Sequence, residues 1–361
     1  MEGSKMNTSI MRMFIKWRNH TMYTPARQKN GITLLVLLLT ALMLAACGSN
    51  NAPAASPSPS PSQEASPTSS AETSPSAKSG TREYEDALGR KVEIPTRPER
   101  IIAHYYASEF TALGVPIVGT NYLNAQLVLT QDQLEGIEDI GGDGLVPNIE
   151  KVLALEPDLI VVPDFLEAAD IDALAKVAPT VVVAYGADAF EHVREAADLA
   201  GKPELAEAWQ KGYDEKVAKQ REVVQAHIKQ GETASAFVLY SDKKLYVYNK
   251  QRLGPTMYDA FGFQIPAKVT ELFASDPSQL WAEISLEKLP EYVGDRIFLV
   301  GPGDDEESKK VLNEVLNGPV WSTLPAVKNN QAYIVGSRWA MNDPLSLEWL
   351  LDEMAAVLTA K

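Results

Sequence analysis

Short apolar runs alternate with mixed polar and apolar segments from residue 100 onward. The runs of the first half predict strands at 100–105, 116–120, 159–162 and 181–185, and the segments between them predict helices at 107–114, 149–156 and 170–177. Strands that are apolar at nearly every position and alternate with helices are typical of a parallel sheet that is covered on both faces. The pattern therefore predicts an α/β fold built from parallel β–α units.

A single long helix is predicted in the middle of this region. Residues 204–228 contain no glycine except Gly212 and no internal proline, so they can form one helix of about 38 Å. Strands follow at 235–241, 244–249, 296–300 and 332–336, with a hairpin turn at Asp242-Lys243 and a last helix at about 345–359. We expect an N-terminal α/β lobe at 81–203, a linking helix at 204–230 and a C-terminal α/β lobe at 231–361, since this length suffices for two lobes.

The N-terminal segment is typical of an exported, anchored protein. Ile32 to Leu44 is almost wholly apolar and follows several Lys and Arg, but it is shorter than the roughly 20 residues of a membrane-spanning helix. It predicts a signal peptide at 1–46. The sequence Leu44-Ala45-Ala46-Cys47 resembles the lipobox of bacterial lipoproteins, which implies that Cys47 is lipidated. Residues 47–80 are rich in Ser and Pro and predict a disordered tether.

Charge and cysteine content narrow the class of protein. The net charge is −15, and the first 46 residues carry six Lys or Arg but one Glu, so the exported part is still more acidic. A nucleic-acid partner needs a basic surface and is therefore not expected. Cys47 is the only cysteine, which excludes an internal disulfide. We expect a monomer that reaches the membrane through its lipid anchor.

Enzyme motifs are absent from the sequence. No Gly-x-Ser-x-Gly elbow, phosphate-binding loop, Gly-x-Gly-x-x-Gly or His-Glu-x-x-His occurs. His20 lies in the signal region, and we expect His192 and His227 on helix surfaces, whereas His104 ends a predicted strand. No cluster offers three or four metal ligands, so we expect neither catalysis, a cofactor nor direct metal binding.

Two segments of the chain resemble each other. Residues 148–162 and 285–300 both place Glu-Lys before an apolar residue, both have Asp eight positions after the Glu, and both lead into a strand. Glu150 and Glu287 would thus lie in the first turn of a helix, where its dipole favours a carboxylate. Two unrelated helix starts would also give this pattern. The alternative is a duplicated lobe with one acidic docking point on each copy.

Several motifs resemble one family of transport proteins. The segments "ALGRKVEIPTRPERII", "ALGVPIVGT", "IGGDGLVPNIEKVLALEPDLIVV" and "ISLEKL" are similar to those of the substrate-binding lipoproteins of ABC importers for ferric siderophores and vitamin B12. The resemblance runs from about Tyr84 to the C-terminus. It implies two Rossmann-like lobes joined by a single long rigid helix, with the ligand cleft between the lobes. It also implies that Glu150 and Glu287 meet arginines on two permease subunits, which work with a cytoplasmic ATPase.

Aromatic side chains dominate the positions at the carboxyl ends of the predicted strands. Ligands of open α/β sheets bind at these strand ends, and a site that is rich in aromatic residues suits a bulky, mostly neutral ligand. Each tyrosine taken alone could equally be a core residue whose hydroxyl group is satisfied. Our candidate contacts are His104, Tyr105, Tyr106, Asn121, Tyr122, Tyr185, Tyr248, Arg252, Arg338 and Trp339.

Resemblance of two segments to siderophore-binding proteins implies a role for two of these residues. "YVYNKQRLGPTMYDAFGF" resembles the segment of hydroxamate-siderophore binders whose arginine reaches the hydroxamate oxygens, which implies this role for Arg252 rather than a surface salt bridge. "SRWAMNDPLSLEWL" resembles a segment that supplies an aromatic wall, which would be Trp339. Some relatives have an arginine where this chain has Gly142, Asp143 and Gly144, so its first lobe departs from their pattern.

The small number of cations favours a ferric hydroxamate as the ligand. Arg252, Arg338 and Lys250 are the candidate cations, against Glu109 and Asp164, whereas a ferric triscatecholate carries about three negative charges that need several cations. Catecholate or citrate-type siderophores, haem held by His104 or a tyrosinate, and cobalamin remain alternatives. A ligand-sensing lipoprotein partnered with a membrane kinase is the alternative outside transport. The lipid anchor indicates the outer face of a Gram-positive cell membrane.

Overall fold

The computed structural model describes residues 80–142 and 144–360, so the predicted signal peptide, Cys47 and nearly all of the tether lie outside the described residues. None of the helices in these two ranges is both long and apolar enough to cross a membrane. The described chain opens with an antiparallel hairpin of β1 (Thr81–Glu85) and β2 (Lys91–Pro95), which the apolar pattern did not predict. The Asp86 side chain accepts hydrogen bonds from the Val182 and Arg90 amides and so connects this hairpin to the first sheet.

The first sheet has five parallel strands in the order β5-β4-β3-β6-β7. Its elements are β3 (Ile101–Ala103), α1 (Ala107–Ala112), β4 (Gly119–Thr120), α2 (Tyr122–Ala125), α3 (Gln131–Leu134), β5 (Glu138–Asp139), α4 (Ile149–Ala154), β6 (Leu159–Pro163), α5 (Ala168–Leu174), β7 (Thr180–Val183) and α6 (Ala189–Leu199). Strands β3, β6 and β7 are buried at every position, as expected for a sheet covered on both faces.

The second sheet has five strands in the order β10-β9-β8-β11-β12. Strands β8, β11 and β12 are parallel, while β9 and β10 are antiparallel, and β8 and β9 form the predicted hairpin. Its elements are β8 (Ala234–Leu239), β9 (Leu245–Tyr248), a π-helical turn (Pro255–Ala260), α8 (Ala267–Leu272), β10 (Trp281–Ile284), a 3₁₀ turn (Leu286–Lys288), α9 (Leu289–Tyr292), β11 (Arg296–Val300), α10 (Glu306–Leu316), α11 (Pro319–Thr323), α12 (Pro325–Lys328), β12 (Ala332–Val335), a 3₁₀ turn (Ser337–Ala340) and α13 (Pro344–Thr359).

One helix, α7 (Glu204–Val224), connects the two sheets. It ends four residues before the predicted Ile228, because the chain tightens into a turn in which the His227 amide donates to the Val224 carbonyl at 2.8 Å. Helix α13 lies against α7, and Trp209 Nε1 donates to Glu348 at 2.5 Å. Residues from both sheets and from both of these helices belong to one continuous hydrophobic cluster. The two-lobe α/β fold predicted from the sequence is confirmed.

Candidate functional site

A cleft lies between the two sheets, at the carboxyl ends of their strands. The space between its lining atoms amounts to about 1180 Å³, with the open solvent at its mouth included. Both lobes contribute to its wall, and the segments that follow β3, β7, β8 and β11 converge there. The lining residues are Tyr105, Tyr106, Ser108, Glu109, Asn124, Leu127, Val128, Leu145, Tyr185, His192, Val238, Leu239, Tyr240, Tyr248, Arg252, Val300, Gly301, Ser337, Ala340, Met341, Asn342 and Asp343.

Packed aromatic rings form the side of the cleft that belongs to the first lobe. The Tyr105 ring meets the rings of Phe165 and Tyr185 edge to face, with centroid distances of 5.4 and 5.7 Å. Phe165 and Tyr185 also meet edge to face at 5.3 Å. Behind them the buried Tyr106 hydroxyl donates to the Val183 carbonyl at 3.2 Å. Because each ring restrains the next, this wall is a preformed surface for stacking against a ligand.

Arg252 supplies the positive charge of the cleft. Its side chain is buried, and its backbone has φ of 64°, a left-handed conformation that costs a residue other than glycine about 1 kcal/mol or more. Nη2 donates to the Tyr185 hydroxyl at 3.1 Å and Nη1 to the Ala340 carbonyl at 3.3 Å, while Nε has no hydrogen-bond partner among the described residues. The guanidinium carbon lies 5.7 Å from the centroid of the Trp281 ring. Arg252 is therefore positioned by aromatic rings and keeps donor capacity for a ligand.

Tyrosines of the second lobe face the aromatic wall. Tyr240 and Tyr248 follow or end strands β8 and β9, and both are buried. Burial raises the pKa of Tyr240, Tyr248 and Tyr106 well above the ordinary value. Because these phenols keep their protons at neutral pH, each of them can both donate and accept a hydrogen bond.

A group of acidic residues and a histidine also lines the cleft. Burial and the charge of Asp343 raise the pKa of Glu109 to about 8, and burial also raises the pKa of Asp343. His192 is 4% exposed and donates from Nε2 to the Ala184 carbonyl at 2.9 Å, and burial lowers its pKa. The prediction that His192 lies on a helix surface was wrong, because α6 turns this residue toward the cleft.

The comparisons with known proteins agree with this architecture. A family model described as periplasmic binding protein matches residues 111–338. The chain belongs to this family. The iron(3+)-hydroxamate-binding protein FhuD of Bacillus subtilis (strain 168) is 34% identical over 342 residues, which cover 92% of this chain and 98% of that protein. The family resemblance inferred from the sequence is thus confirmed.

Two solved structures of Staphylococcus aureus proteins share the fold. FhuD2 with bound ferrioxamine B has a TM-score of 0.61 and 31% identity, and the match covers 72% of this chain and 98% of that one. SirA complexed with staphyloferrin B has a TM-score of 0.66 and 25% identity, and the match covers 78% and 99% of the two chains. Periplasmic binding proteins of this fold thus include receptors for chemically different siderophores.

Three first-lobe candidates lie outside the lining of the cleft. The Asn121 side chain accepts from the Leu123 amide at 3.0 Å and so caps α2. The Tyr122 hydroxyl donates to the Ile137 carbonyl at 2.5 Å, and His104 is fully buried. These side chains hold the strand ends in place. Their assignment as ligand contacts stays a prediction, and Tyr105, Tyr106 and Tyr185 are the predicted first-lobe residues that the cleft does contain.

The candidate ligand contacts of the second lobe also fall into two groups, those that line the cleft and those that lie outside its lining. Arg252 and Tyr248 line the cleft, whereas Trp339 stacks on Phe298 with a centroid distance of 5.8 Å in the core. Arg338 lies over the Trp349 ring at 4.5 Å. In the 3₁₀ turn that contains both, the cleft is lined from Ser337 and Ala340, three positions apart and therefore on the same face.

Several lining residues were not among the sequence-based candidates, although the sequence carries signals for them. Glu109 lies in the first turn of α1, three residues after the N-cap residue Tyr106, which also lines the cleft. His192 shares the spacing of the buried residues Ala189, Val193 and Ala196 on α6. The Asp-Pro pair at the start of α13 predicts that Asp343 is an N-cap residue, but it does not predict that Asp343 lines the cleft.

Outside the cleft, both candidate docking residues are solvent-exposed. Glu150 lies in the first turn of α4 and Glu287 in the 3₁₀ turn before α9. Neither forms an ion pair with another described residue. The strands that follow them, β6 and β11, both hold the fourth position of their sheets. No group of three or more His, Cys, Asp or Glu within the described ranges could hold a metal ion.

Proposed function

We propose that the protein is the substrate-binding component of an ABC importer and that it captures a ferric siderophore of the hydroxamate type. The observation that carries the proposal is Arg252, buried in the cleft between the lobes with an unused Nε donor and aromatic neighbours. A planar guanidinium matches the oxygen atoms that surround a ferric ion. The similarity to a hydroxamate-binding FhuD and to FhuD2 with ferrioxamine B supports the same ligand class.

The charge of the cleft supports a neutral or cationic cargo over a strongly anionic one. Arg252 is the one Lys or Arg among the described residues that line it, and Glu109 and Asp343 bring two carboxyl groups. A ferric triscatecholate or a carboxylate siderophore would have to bury its negative charges beside these acids, which is costly without matching cations. Staphyloferrin B in the related SirA makes a carboxylate siderophore the second candidate.

A lipid anchor at Cys47 would keep this receptor at the outer face of the membrane, where a Gram-positive cell has no outer membrane to retain it. The lipobox-like sequence before Cys47 and the Ser/Pro-rich segment after it support this location. Multi-chain lipidation holds a protein at a bilayer far more firmly than one acyl chain does. The tether would let the folded part reach both the cargo and the permease.

The ligand can be tested by quenching of tryptophan fluorescence in the full chain, purified in a neutral detergent. Titrants are ferrioxamine B, ferrichrome, ferric citrate, a ferric triscatecholate, haemin and cobalamin. We expect saturable quenching by the two hydroxamates, and about ten- to hundredfold weaker binding in Arg252→Ala, from the loss of a charge-assisted hydrogen bond. Arg194→Ala, which removes an exposed arginine of α6, is the matched control and should bind normally. Tight binding of the catecholate or haemin alone would contradict the hydroxamate assignment.

We further propose that Glu150 and Glu287 contact arginines on the two permease subunits, which a cytoplasmic ATPase drives. Their exposure and their lack of ion-pair partners among the described residues support this role. Glu150→Arg and Glu287→Arg should leave cargo binding unchanged but reduce cellular uptake of radioactive iron at least tenfold. Glu207→Arg, at an exposed position of α7, is the control for added charge. Normal uptake in both charge reversals would refute the docking assignment.

A further inference from the structure

Three titratable residues that line the cleft have no assigned task. They are Glu109, His192 and Asp343, which we call the acidic wall; His192 Nδ1 lies 3.9 Å from Glu109 Oε1, and the charge of Asp343 acts on Glu109. Arg252 lies beside Tyr185 and Trp281 in the same cleft. We propose that the acidic wall is a subsite for a protonated amine carried by the ferric hydroxamate. This inference rests on the proposed function and deepens it, since it selects cationic siderophores among the hydroxamates.

Both carboxyl groups of the acidic wall are buried in the fold, and that of Asp343 is incompletely satisfied. Glu109 is 2% exposed, and its Oε2 accepts from the Ser108 hydroxyl at 2.8 Å. Asp343 is 5% exposed, and its Oδ1 accepts from the Ser346 amide at 2.9 Å, while Oδ2 has no hydrogen-bond partner among the described residues. Buried carboxyl oxygens without partners are costly, so a ligand that donates to them gains a large interaction.

His192 adds a second acceptor that points to the same kind of ligand. Its Nε2 hydrogen is committed to the Ala184 carbonyl, so the neutral ring presents Nδ1 as an acceptor. That atom is buried, has no hydrogen-bond partner among the described residues, and lies 3.9 Å from Glu109 Oε1, too far for a hydrogen bond. An ammonium group has three donors and no acceptor, so it suits a wall of acceptors.

No cation of the described residues neutralises the acidic wall through an ion pair. Arg252 donates from Nη1 to Ala340 and from Nη2 to Tyr185 and pairs with neither carboxyl group. Arg338 lies over the Trp349 ring, although its charge still lowers the pKa of Asp343. A buried carboxylate without a partner cation is strongly disfavoured. A cationic ligand would therefore supply the positive charge that no described residue provides to the acidic wall through an ion pair.

Proton uptake and release follow from this arrangement. Burial and Asp343 raise the pKa of Glu109 to about 8, so in the empty cleft Glu109 carries a proton at neutral pH. The other charges that act here are those of Arg252, which lowers the pKa of His192, and of Asp188 and Glu191, which raise it. An ammonium beside Glu109 would favour its ionised form. Binding at pH 7 should then release about 0.9 proton, and affinity should rise as the pH increases toward 8.

A matched pair of ligands tests the inference. Ferrioxamine B carries a free amine, and its N-acetyl derivative has the same ferric trihydroxamate core without that charge. We expect the full chain in detergent to bind ferrioxamine B at least tenfold more tightly than the acetylated complex at pH 7.5. Calorimetry in phosphate and in Tris buffer, which differ in ionisation enthalpy, should reveal proton release for ferrioxamine B and none for the acetylated complex.

Two variants distinguish the effect of the negative charge of the acidic wall from the effect of its hydrogen bonds. Glu109→Gln and Asp343→Asn keep polar groups of the same shape, and they should weaken the binding of ferrioxamine B at least tenfold more than the binding of the acetylated complex. The exposed Glu167→Gln is the control. Equal affinity of the wild-type chain for both complexes, without a difference in proton release, would overturn the amine subsite but leave hydroxamate binding intact. Failure to bind either complex would overturn the proposed function together with the subsite.

Discussion

Replacing Glu109 by glutamine should change how the stability of the ligand-free protein depends on pH. The Glu109 carboxyl group is buried, and its pKa is raised from 4.5 to about 8. A carboxyl whose pKa is higher in the folded state stabilises the fold fully below pH 4.5, and this contribution is lost as the pH rises through 8. Between pH 6 and pH 9 the wild-type chain should therefore lose about 3 kcal/mol relative to Glu109→Gln, which has no proton to release.

Urea denaturation followed by circular dichroism at pH 6, 7, 8 and 9 measures this difference. Each free energy of unfolding is compared with that of Glu109→Gln at the same pH, because other buried acids, Asp343 and Glu195 among them, also titrate with raised pKa values. The contribution of Glu195 is common to both chains and cancels, whereas the measured difference reports Glu109 together with its interaction with Asp343. A wild-type curve that runs parallel to the variant's over the whole range would show that Glu109 is ionised in an ordinary environment, and the reasoning would fail.

Two further predictions concern the backbone and the anchor. Gly201 has φ of 67°, and a Cβ atom there would lie 2.1 Å from the Thr96 carbonyl oxygen, so Gly201→Ala should lower the free energy of unfolding by more than about 2 kcal/mol. Gly136→Ala, with φ of 80° but open space around it, should cost about 1 kcal/mol, and equal losses would contradict the close approach at Gly201. Cys47→Ala should abolish the incorporation of radioactive palmitate without changing the affinity for ferrioxamine B, and labelling that persists in the variant would exclude Cys47 as the lipid anchor.

Sequence patterns predicted the strands well where burial is complete. The apolar run at 296–300 coincides with β11, and the hairpin at Asp242-Lys243 joins β8 and β9 as expected. The similarity of residues 148–162 and 285–300 also has a counterpart in the fold, since both segments lead into the fourth strand of their sheets. Such features depend on local periodicity and turn chemistry, which the sequence displays directly.

Side-chain direction within irregular segments was harder to predict. Trp339 and Ala340 are neighbours in the same 3₁₀ turn, yet one packs into the core and the other lines the cleft. The resemblance of this segment to one that supplies an aromatic wall favoured Trp339 for the ligand. His192 was assigned to the surface because an isolated polar residue on a helix usually faces water. Its burial follows from the packing of α6 near the cleft, which depends on contacts between segments that are distant in sequence.

The contacts between the linking helix α7 and helix α13 have a consequence for how the protein competes for the permease. Helix α7 carries Trp209, Lys216 and Gln220, which all contact acidic residues of α13, with Lys216 Nζ 2.8 Å from Asp352 Oδ2. A receptor whose linking helix is fixed by these contacts can change its shape only a little when it binds cargo. Empty and loaded receptors would then compete for the same permease on nearly equal terms. The ratio of receptors to permeases, as well as affinity for the cargo, would set the rate of iron entry when iron is scarce.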